Sequence, residues 1–159
     1  MLHIVLLEPE IPQNTGNIAR TCAAIGAKLH LIEPLGFSVD DKHMKRAGLD
    51  YWDALDVQIH TDFAQFLEQN PDAEIYYFSK KGKRLYSEIT YPKDVYFLFG
   101  RESVGLPEAM LKEHLDHTIR LPMKEGLRSL NLSNAVAIAA YEALRQQGFE
   151  GLQIEGQLA

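Results

Sequence analysis

The sequence predicts a single α/β domain built on a parallel sheet with helices on both faces. Several short segments are apolar throughout, as strands buried on both faces are, and they alternate with segments of helical periodicity. The length of 159 residues suits one domain with a substantial core, and no linker, repeat or low-complexity segment divides it. We therefore predict one domain over residues 1–151 and a loose tail over residues 152–159.

Six segments are predicted as the strands of this sheet. The first is continuous in apolar residues, and the fourth has Tyr76, Tyr77 and Phe78 at its centre. Pro122 ends the sixth, because proline cannot donate a hydrogen bond to a sheet ladder. In chain order the predicted strands are His3–Leu7, Lys28–Ile32, Val57–His60, Glu74–Ser79, Asp94–Phe99 and Thr118–Leu121.

Five helices are predicted between and after these strands. A capping side chain or a proline marks most of their starts, and a following glycine marks several of their ends. Five alanines between Ala135 and Ala143 leave one face of the last helix almost without side chains, so a neighbouring backbone can lie close to it. The expected limits are Asn14 or Thr15 to Ile25, Asp40 or Asp41 to Gly48, Thr61 to Leu67, Pro107 to His114, and Leu132 to Gly148.

Composition excludes several classes of protein. Hydrophobic residues make up 46% and charged residues 24%, which is ordinary for a soluble globular protein. The longest apolar run, Ala135–Tyr141, is far shorter than the roughly 20 residues of a membrane span. The start of the chain lacks a basic n-region, so it is predicted as a strand and not as a signal peptide. The single cysteine, Cys22, excludes an internal disulfide and fits a cytoplasmic protein with no membrane partner.

The charge pattern leaves the partner open. The net charge of −6 argues mildly against nucleic acid. However, basic residues cluster over residues 42–46 and again over residues 80–84. Each cluster is either a solvated face or a set of phosphate contacts. No group of Asp and Glu residues has the spacing of metal ligands, so no metal is predicted.

Three loops at the carboxyl ends of strands carry more polar residues than a connection requires, and ligands bind at that edge of a parallel sheet. In the first loop, Asn14, Asn17 and Arg20 are spaced to lie on one side of a helix. The free N–H groups of the first helical turn favour an anion such as phosphate there. The alternative is an asparagine cap followed by a surface arginine.

The second loop, residues 99–107, matches none of the common phosphate or nucleophile motifs. It lacks the Lys-Ser/Thr pair of a P-loop, the spacing of a hydrolase elbow and the glycines of a dinucleotide fingerprint. What remains is Gly100, which exposes its backbone to a ligand, and the adjacent pair Arg101 and Glu102.

The third loop leads from the last strand into the last helix. Leu121 and Met123 offer apolar contacts and backbone groups that suit an adenine ring or a thioether. Capping accounts for one or two of the polar residues that follow, but not for all of them together. We therefore predict a site formed in part by Arg128, Ser129, Asn131, Ser133 and Asn134.

Taken together, the three loops resemble the motifs of the SPOUT class of RNA methyltransferases, and within it those of the 2′-O-ribose methyltransferases. Residues 14–20, 99–107 and 119–134 are similar to the first, second and third motifs of that class. Residues 7–12 and 31–37 are similar to the single-domain group that methylates the wobble nucleotide (position 34) of tRNA. The departures are Leu7, where a tyrosine is expected, and the divergent segment 53–91.

This resemblance implies a C-terminal deep trefoil knot, a homodimer, tRNA as substrate, and S-adenosylmethionine as methyl donor, with S-adenosylhomocysteine as product. By resemblance, Arg20 handles the ribose 2′-hydroxyl and Asn17 orients it. Glu102 pairs with an arginine or holds its loop, and Tyr141 positions the target nucleotide or packs. The implied cofactor-binding residues are Phe78, Gly100, Leu121, Met123, Ser129, Leu130 and Asn134.

The basic clusters complete the expected site. As phosphate contacts for RNA we predict Lys42, Lys45, Arg46, Lys80, Lys81, Lys83, Arg84 and Arg128. The predicted activity is 2′-O-methylation of the wobble cytidine or modified uridine of tRNA. The alternatives are the same reaction on another RNA, such as ribosomal RNA, and a cofactor-binding RNA-interaction protein without catalysis. A nucleotide hydrolase is a more distant alternative.

Overall fold

A computed structural model of the protein describes residues 1–40 and 54–158, together with Lys42, Arg46 and Trp52. Within these ranges one parallel sheet has seven strands in the order β3-β2-β1-β6-β4-β7-β5. This arrangement confirms the predicted α/β class and the parallel sheet. The strands are β1 (Leu2–Leu7), β2 (Lys28–Ile32), β3 (Val57–His60), β4 (Ile75–Phe78), β5 (Arg84–Leu85), β6 (Val95–Phe99) and β7 (Thr118–Arg120).

The helices of the described residues follow the predicted order. A short 3₁₀ helix, Leu115–His117, was not expected. The predicted basic helix from Asp40 or Asp41 to Gly48 falls mostly on residues outside those described. The α-helices are α1 (Pro12–Ile25), α2 (Phe63–Gln69), α3 (Glu108–Glu113) and α4 (Leu132–Gln146).

Both faces of the sheet are covered, as apolar strands require. On one face, the β1 residues Ile4 and Leu6 belong to a core that α1 and α4 complete. On the other face, Val5 packs in a second core with Phe66 of α2 and Leu111 of α3. The alanine face of α4 lies in the first core, where its buried members are Ala139, Ala140 and Ala143.

Two of the predicted helix caps were wrong. Helix α1 begins at Pro12, two residues before the expected cap, and its N-cap Ile11 has no side chain that could accept a hydrogen bond. Proline fits there because the first helical N–H groups have no partner within the helix. The cap of α2 is Asp62, whose carboxylate accepts from the N–H of Gln65 at 2.8 Å, and not Thr61.

Strand β5 was missed because it has two residues within a basic, exposed segment. Its ladder to β7 holds it in place: the N–H of Lys83 donates to the Thr118 carbonyl at 3.2 Å, and that of Tyr86 donates to Arg120 at 3.1 Å. Residues 79–83, which join β4 to β5, therefore cross the carboxyl end of β7. Strand β7 lies between two strands that follow each other closely along the chain.

The crossing leaves no room for a side chain at Gly82. A Cβ atom there would lie 2.4 Å from the carbonyl carbon of Ile119 and 2.5 Å from its oxygen. We expect Gly82→Ala to lower the free energy of unfolding by about 2–3 kcal/mol, because backbone atoms on both sides must shift. Urea unfolding measures the effect. Gly156→Ala is the matched control, since a Cβ at Gly156 meets nothing within 4 Å; equal losses in the two variants would contradict this account.

Candidate functional site

A cavity of about 550 Å³ opens at the carboxyl edge of the sheet, where the three predicted loops meet. Its size is within the range of small-molecule sites, roughly 300–1,000 Å³. Its floor is apolar: Phe78 ends β4, Phe99 ends β6, and their rings stack with centroids 4.7 Å apart. Ile119 of β7 and Leu121, directly after that strand, continue this surface. The cavity therefore offers an aromatic and aliphatic base surrounded by polar loops.

The amino end of α1 is held by a carboxylate from the second loop. Glu102 accepts from the backbone N–H groups of Glu10 at 2.9 Å and Ile11 at 2.8 Å. It also accepts from Nδ2 of Asn14 at 3.2 Å. Of the two roles expected for Glu102, holding its loop is the one that these contacts fit. The anion expected at this helix end is thus supplied by the protein's own side chain, as the helix dipole favours.

A second carboxylate makes the opposite connection. Glu10 of the first loop accepts from the backbone N–H of Ser103 at 2.9 Å and from its hydroxyl at 2.7 Å. Arg101 lies 3.3 Å from the same carboxylate. The hydrogen bonds from Ser103, and then the contact with Arg101, lower the pKa of Glu10 below its usual value. Each of these two loops therefore contributes a carboxylate that binds the other loop.

The third loop joins this network through two asparagines. Nδ2 of Asn131 donates to Oδ1 of Asn14 at 3.1 Å, and Asn14 is only 6% exposed. The Oδ1 atom of Asn131 also caps α4, since it accepts from the N–H groups of Ser133 and Asn134 at 2.9 and 3.3 Å. Asn14 bridges Glu102 and Asn131, so one side chain links all three loops.

The structure brings most of the predicted cofactor residues together with Glu102, and it leaves the other three predicted catalytic residues outside the cavity. Asn17 and Arg20 are exposed on α1, and Tyr141 is exposed on α4. Asn134 is exposed at the start of α4 and does not line the cavity. The predicted residues that line it are Phe78, Lys80, Lys81, Gly100, Glu102, Leu121, Met123, Arg128, Ser129 and Leu130.

The predicted polar face of α1 was wrong in one respect. Asn14 does not share the exposed side of the helix with Asn17 and Arg20, because its side chain turns into the loop network. The remaining predicted RNA contacts are spread over the surface. Lys42, Arg46, Lys83 and Arg84 are exposed and lie outside the cavity lining, and Lys45 lies outside the described residues.

Sequence reasoning missed several residues of the site. Asn131 was expected in the site and Asn14 in a polar face of α1, but the hydrogen bond that joins them was not predicted. Ser79 also lines the cavity, as the residue directly after β4. Glu10 and Ser103 gave no signal, because their contact joins residues 93 positions apart.

The fold and the cavity define an α/β protein with a small-molecule site at the carboxyl edge of a parallel sheet, lined by three loop motifs. Comparison with known proteins shows the family to which it belongs. The chain belongs to the SpoU rRNA methylase family, which matches residues 1–141.

Individual relatives are similar over nearly the whole chain. A Geobacillus stearothermophilus protein is 53% identical over 154 residues, which cover 95% of this chain and 98% of that one. It is provisionally named a tRNA (cytidine(34)-2′-O)-methyltransferase. A solved structure concerned with 2-OH methylation of C/U34 on tRNA has 50% identity and a TM-score of 0.89, and covers 93% of this chain and 97% of that one.

A more distant structure carries a cofactor. The AdoMet-bound rRNA methyltransferase from Sinorhizobium meliloti is 26% identical, with a TM-score of 0.81. The match covers 91% of this chain and 56% of that protein. In this chain, no helix of the described residues is long and apolar enough to cross a membrane.

Proposed function

We propose that this protein transfers a methyl group from S-adenosylmethionine to the ribose 2′-hydroxyl of the wobble nucleotide of tRNA, position 34, a cytidine or a modified uridine. The observation that carries the proposal is that three loop motifs, distant in the chain, line one cavity at the carboxyl edge of the sheet. Relatives at about half identity carry the name of this activity. Residues 1–151 carry the activity, and we place it in the cytoplasm because its substrate is tRNA.

The residues of the cavity fit the cofactor. The stacked rings of Phe78 and Phe99 and the side chains of Leu121 and Met123 suit an adenine ring and a thioether. Gly100 presents backbone groups beside them. The polar atoms that an amino-acid moiety requires come from Ser129 and its neighbours on the third loop. S-adenosylmethionine supplies an activated methyl group with a neutral leaving group, so the reaction requires neither a metal nor a covalent intermediate.

The protein's contribution is placement and charge stabilisation. Arg20 stabilises the negative charge that develops on the 2′-oxygen and binds the adjacent phosphate, because a guanidinium stays protonated in proteins. Asn17 lies about one turn earlier on α1 and orients Arg20. Glu102 fixes the amino end of the same helix. Tyr141 of α4 positions the target nucleotide.

We propose that the protein acts as a homodimer. Ile138 and Tyr141 of α4 are 41% and 48% exposed, so part of this helix presents apolar surface. Arg20 and Asn17 are exposed on α1, the helix that packs beside α4 in the core. A second copy packed against α1 and α4 would add its own basic residues to the surface that binds tRNA. One small domain alone provides only part of that surface.

We also expect the deep trefoil knot of the SPOUT class in the C-terminal half. Residues 79–83 join β4 to β5 directly, yet β7 is paired between these two strands. The connection therefore crosses β7, and this crossing supports the expected knot. The close approach of Gly82 to the backbone of Ile119 supports this crossing.

Lys83 offers a test of the RNA surface that leaves the cavity intact. It is exposed directly before β5 and does not line the cavity. Lys83→Ala is expected to weaken tRNA binding and to reduce the slope of log affinity against log salt by about 1, with unchanged cofactor affinity. Lys93→Ala is the matched control, because Lys93 is exposed before β6 and belongs to neither predicted basic cluster. An unaltered salt slope in the Lys83 variant would remove this residue from the RNA surface.

The choice of RNA is tested by label transfer. Purified protein and labelled S-adenosylmethionine are incubated in two separate reactions, one with total tRNA and one with ribosomal RNA. Both RNAs come from a strain that lacks the gene. We expect label in tRNA alone. Label in ribosomal RNA alone would establish the alternative substrate, and cofactor binding without transfer to either RNA would favour a non-catalytic RNA-interaction protein.

A further inference from the structure

The cavity wall opposite the third loop is a compact turn formed by residues 101–105. The N–H of Gly105 donates to the carbonyl of Arg101 at 2.7 Å, which closes the turn on itself. A Cβ at Gly100 would lie 2.2 Å from the carbonyl carbon of Gly105, so the turn is also tightly packed at its base. Val104 at its tip is 69% exposed. The turn is therefore internally braced, while its outer end projects into solvent.

The contacts of Glu10 tie this turn to the first loop. Its carboxylate accepts from Ser103 through both the backbone N–H and the hydroxyl, and it pairs with Arg101. Both partners line the cavity, whereas Glu10 itself does not. Glu10 is fixed in turn, because its N–H donates to Glu102 and its backbone lies against Gly36.

We infer that Glu10 is a positioning residue that fixes the wall formed by residues 101–105 for cofactor binding. This inference rests on the proposed function, since it takes S-adenosylmethionine to be the ligand of the cavity. Because the turn is braced internally, its place relative to the first loop depends on contacts that reach outside the turn. Glu10 supplies three such contacts, two of them to one residue.

The role of Glu10 differs from that of Glu102. Glu102 is itself part of the turn, and it binds the amino end of α1, the helix that carries Arg20. Glu10 holds the same turn at Ser103 and Arg101, so its loss acts on the cofactor while Glu102 still fixes α1 and Arg20. A hydrogen bond to a charged group contributes more than one between neutral groups, and Glu10 accepts from a hydroxyl and a backbone N–H at once.

The test measures binding of S-adenosylhomocysteine by calorimetry, and methyl transfer at varied S-adenosylmethionine, with full-length protein. Glu10→Gln is expected to raise the dissociation constant and the KM for the cofactor about tenfold, with kcat at saturating cofactor within about twofold of wild type. Glu68→Gln is the matched control, because Glu68 is exposed on α2 and does not line the cavity. Ser103→Ala removes one donor and is expected to raise the dissociation constant by less. In the double variant, adding Ser103→Ala to Glu10→Gln is expected to raise it little further, because both changes break the same contact.

Each outcome decides a separate question. Wild-type protein that fails to bind S-adenosylhomocysteine would contradict the proposed function. Wild-type binding together with unchanged affinity in Glu10→Gln would overturn the inference alone. A fall in kcat with unchanged KM would also overturn it, because that result assigns Glu10 to the reaction and not to the wall. If Glu10→Gln does not fold, the cofactor affinity and KM of Ser103→Ala are compared with those of the wild type instead.

Discussion

Replacing Arg20 by alanine is expected to lower the rate of methyl transfer by about a thousandfold, the scale seen when one stabilising donor of a developing oxyanion is removed. The reason is electrostatic, because the 2′-oxygen gains negative charge as its proton leaves and the guanidinium is a permanent positive partner. Arg20 lies outside the cavity lining, so cofactor affinity is expected to stay unchanged. The kcat at saturating cofactor and tRNA measures the effect.

The control for this variant is Arg145→Ala. Arg145 is exposed near the end of α4 and pairs with Glu142, at 2.9 Å between Nη2 and Oε2. It is expected to retain nearly full activity. Both variants should unfold at the wild-type temperature. A fall of less than about tenfold in the Arg20 variant, with tRNA and cofactor bound normally, would show that another residue stabilises the oxyanion.

The second large effect is a loss of folding stability in acid, which we expect from three buried histidines. His3, His30 and His60 lie on neighbouring strands β1, β2 and β3 on one face of the sheet. Nδ1 of His3 lies 2.9 Å from Nε2 of His30, and Nδ1 of His30 lies 3.0 Å from Nε2 of His60. Asp94 lies 3.3 Å from Nε2 of His3 at the outer end of the row. Each of these hydrogen bonds between imidazoles needs one ring nitrogen without a proton.

Burial is the main cause that lowers the pKa of His30 from 6.5 to about 3, and the charges of His3 and His60 add to it. The pKa values of His3 and His60 are lowered as well, chiefly by burial. The folded pKa of His30 lies below the unfolded value, so the unfolded chain takes up the proton first as the pH falls. Stability is therefore full above pH 6.5 and is lost progressively between pH 6.5 and about 3.

This loss can be measured before carboxylates titrate. His30 alone is expected to remove about 2 kcal/mol from the free energy of unfolding between pH 7.5 and pH 5, with the slope approaching about 1.4 kcal/mol per pH unit below pH 6. Urea unfolding between pH 7.5 and pH 5 gives the free energy, and the ¹³C signals of the imidazoles report the proton directly. Constant stability over that range, with His30 titrating near its usual value, would refute the account.

The strands were predictable where burial alone determines them. Strands β1 and β6 lie in the interior of the sheet and are buried at every position, so their apolar runs mark them in the sequence. Strand β5 has no such run, because its two residues depend on the ladder to β7 and not on burial. The place of β7 between β4 and β5 likewise follows from pairing between distant segments, which no local pattern records.

The residues of the site were likewise predictable only in part. The floor of the cavity was predictable by resemblance, since Gly100 and Leu121 directly follow strands within recognisable motifs, and the same resemblance implied Phe78 at the end of β4. The reciprocal contacts of the two carboxylates could not be predicted from the sequence, because Glu10 and Glu102 bind partners about 90 residues away along the chain. The start of α1 was misplaced for this reason too: the bonds at its amino end come from another loop.

The most direct test of the central claim is to locate the methyl group. Transfer RNA from a strain lacking the gene is treated with the protein and S-adenosylmethionine, digested to nucleosides and to anticodon fragments, and analysed by mass spectrometry. We expect one new 2′-O-methylated pyrimidine, at position 34 of the anticodon loop. A methyl group on a base, or on a ribose elsewhere in tRNA, would contradict it.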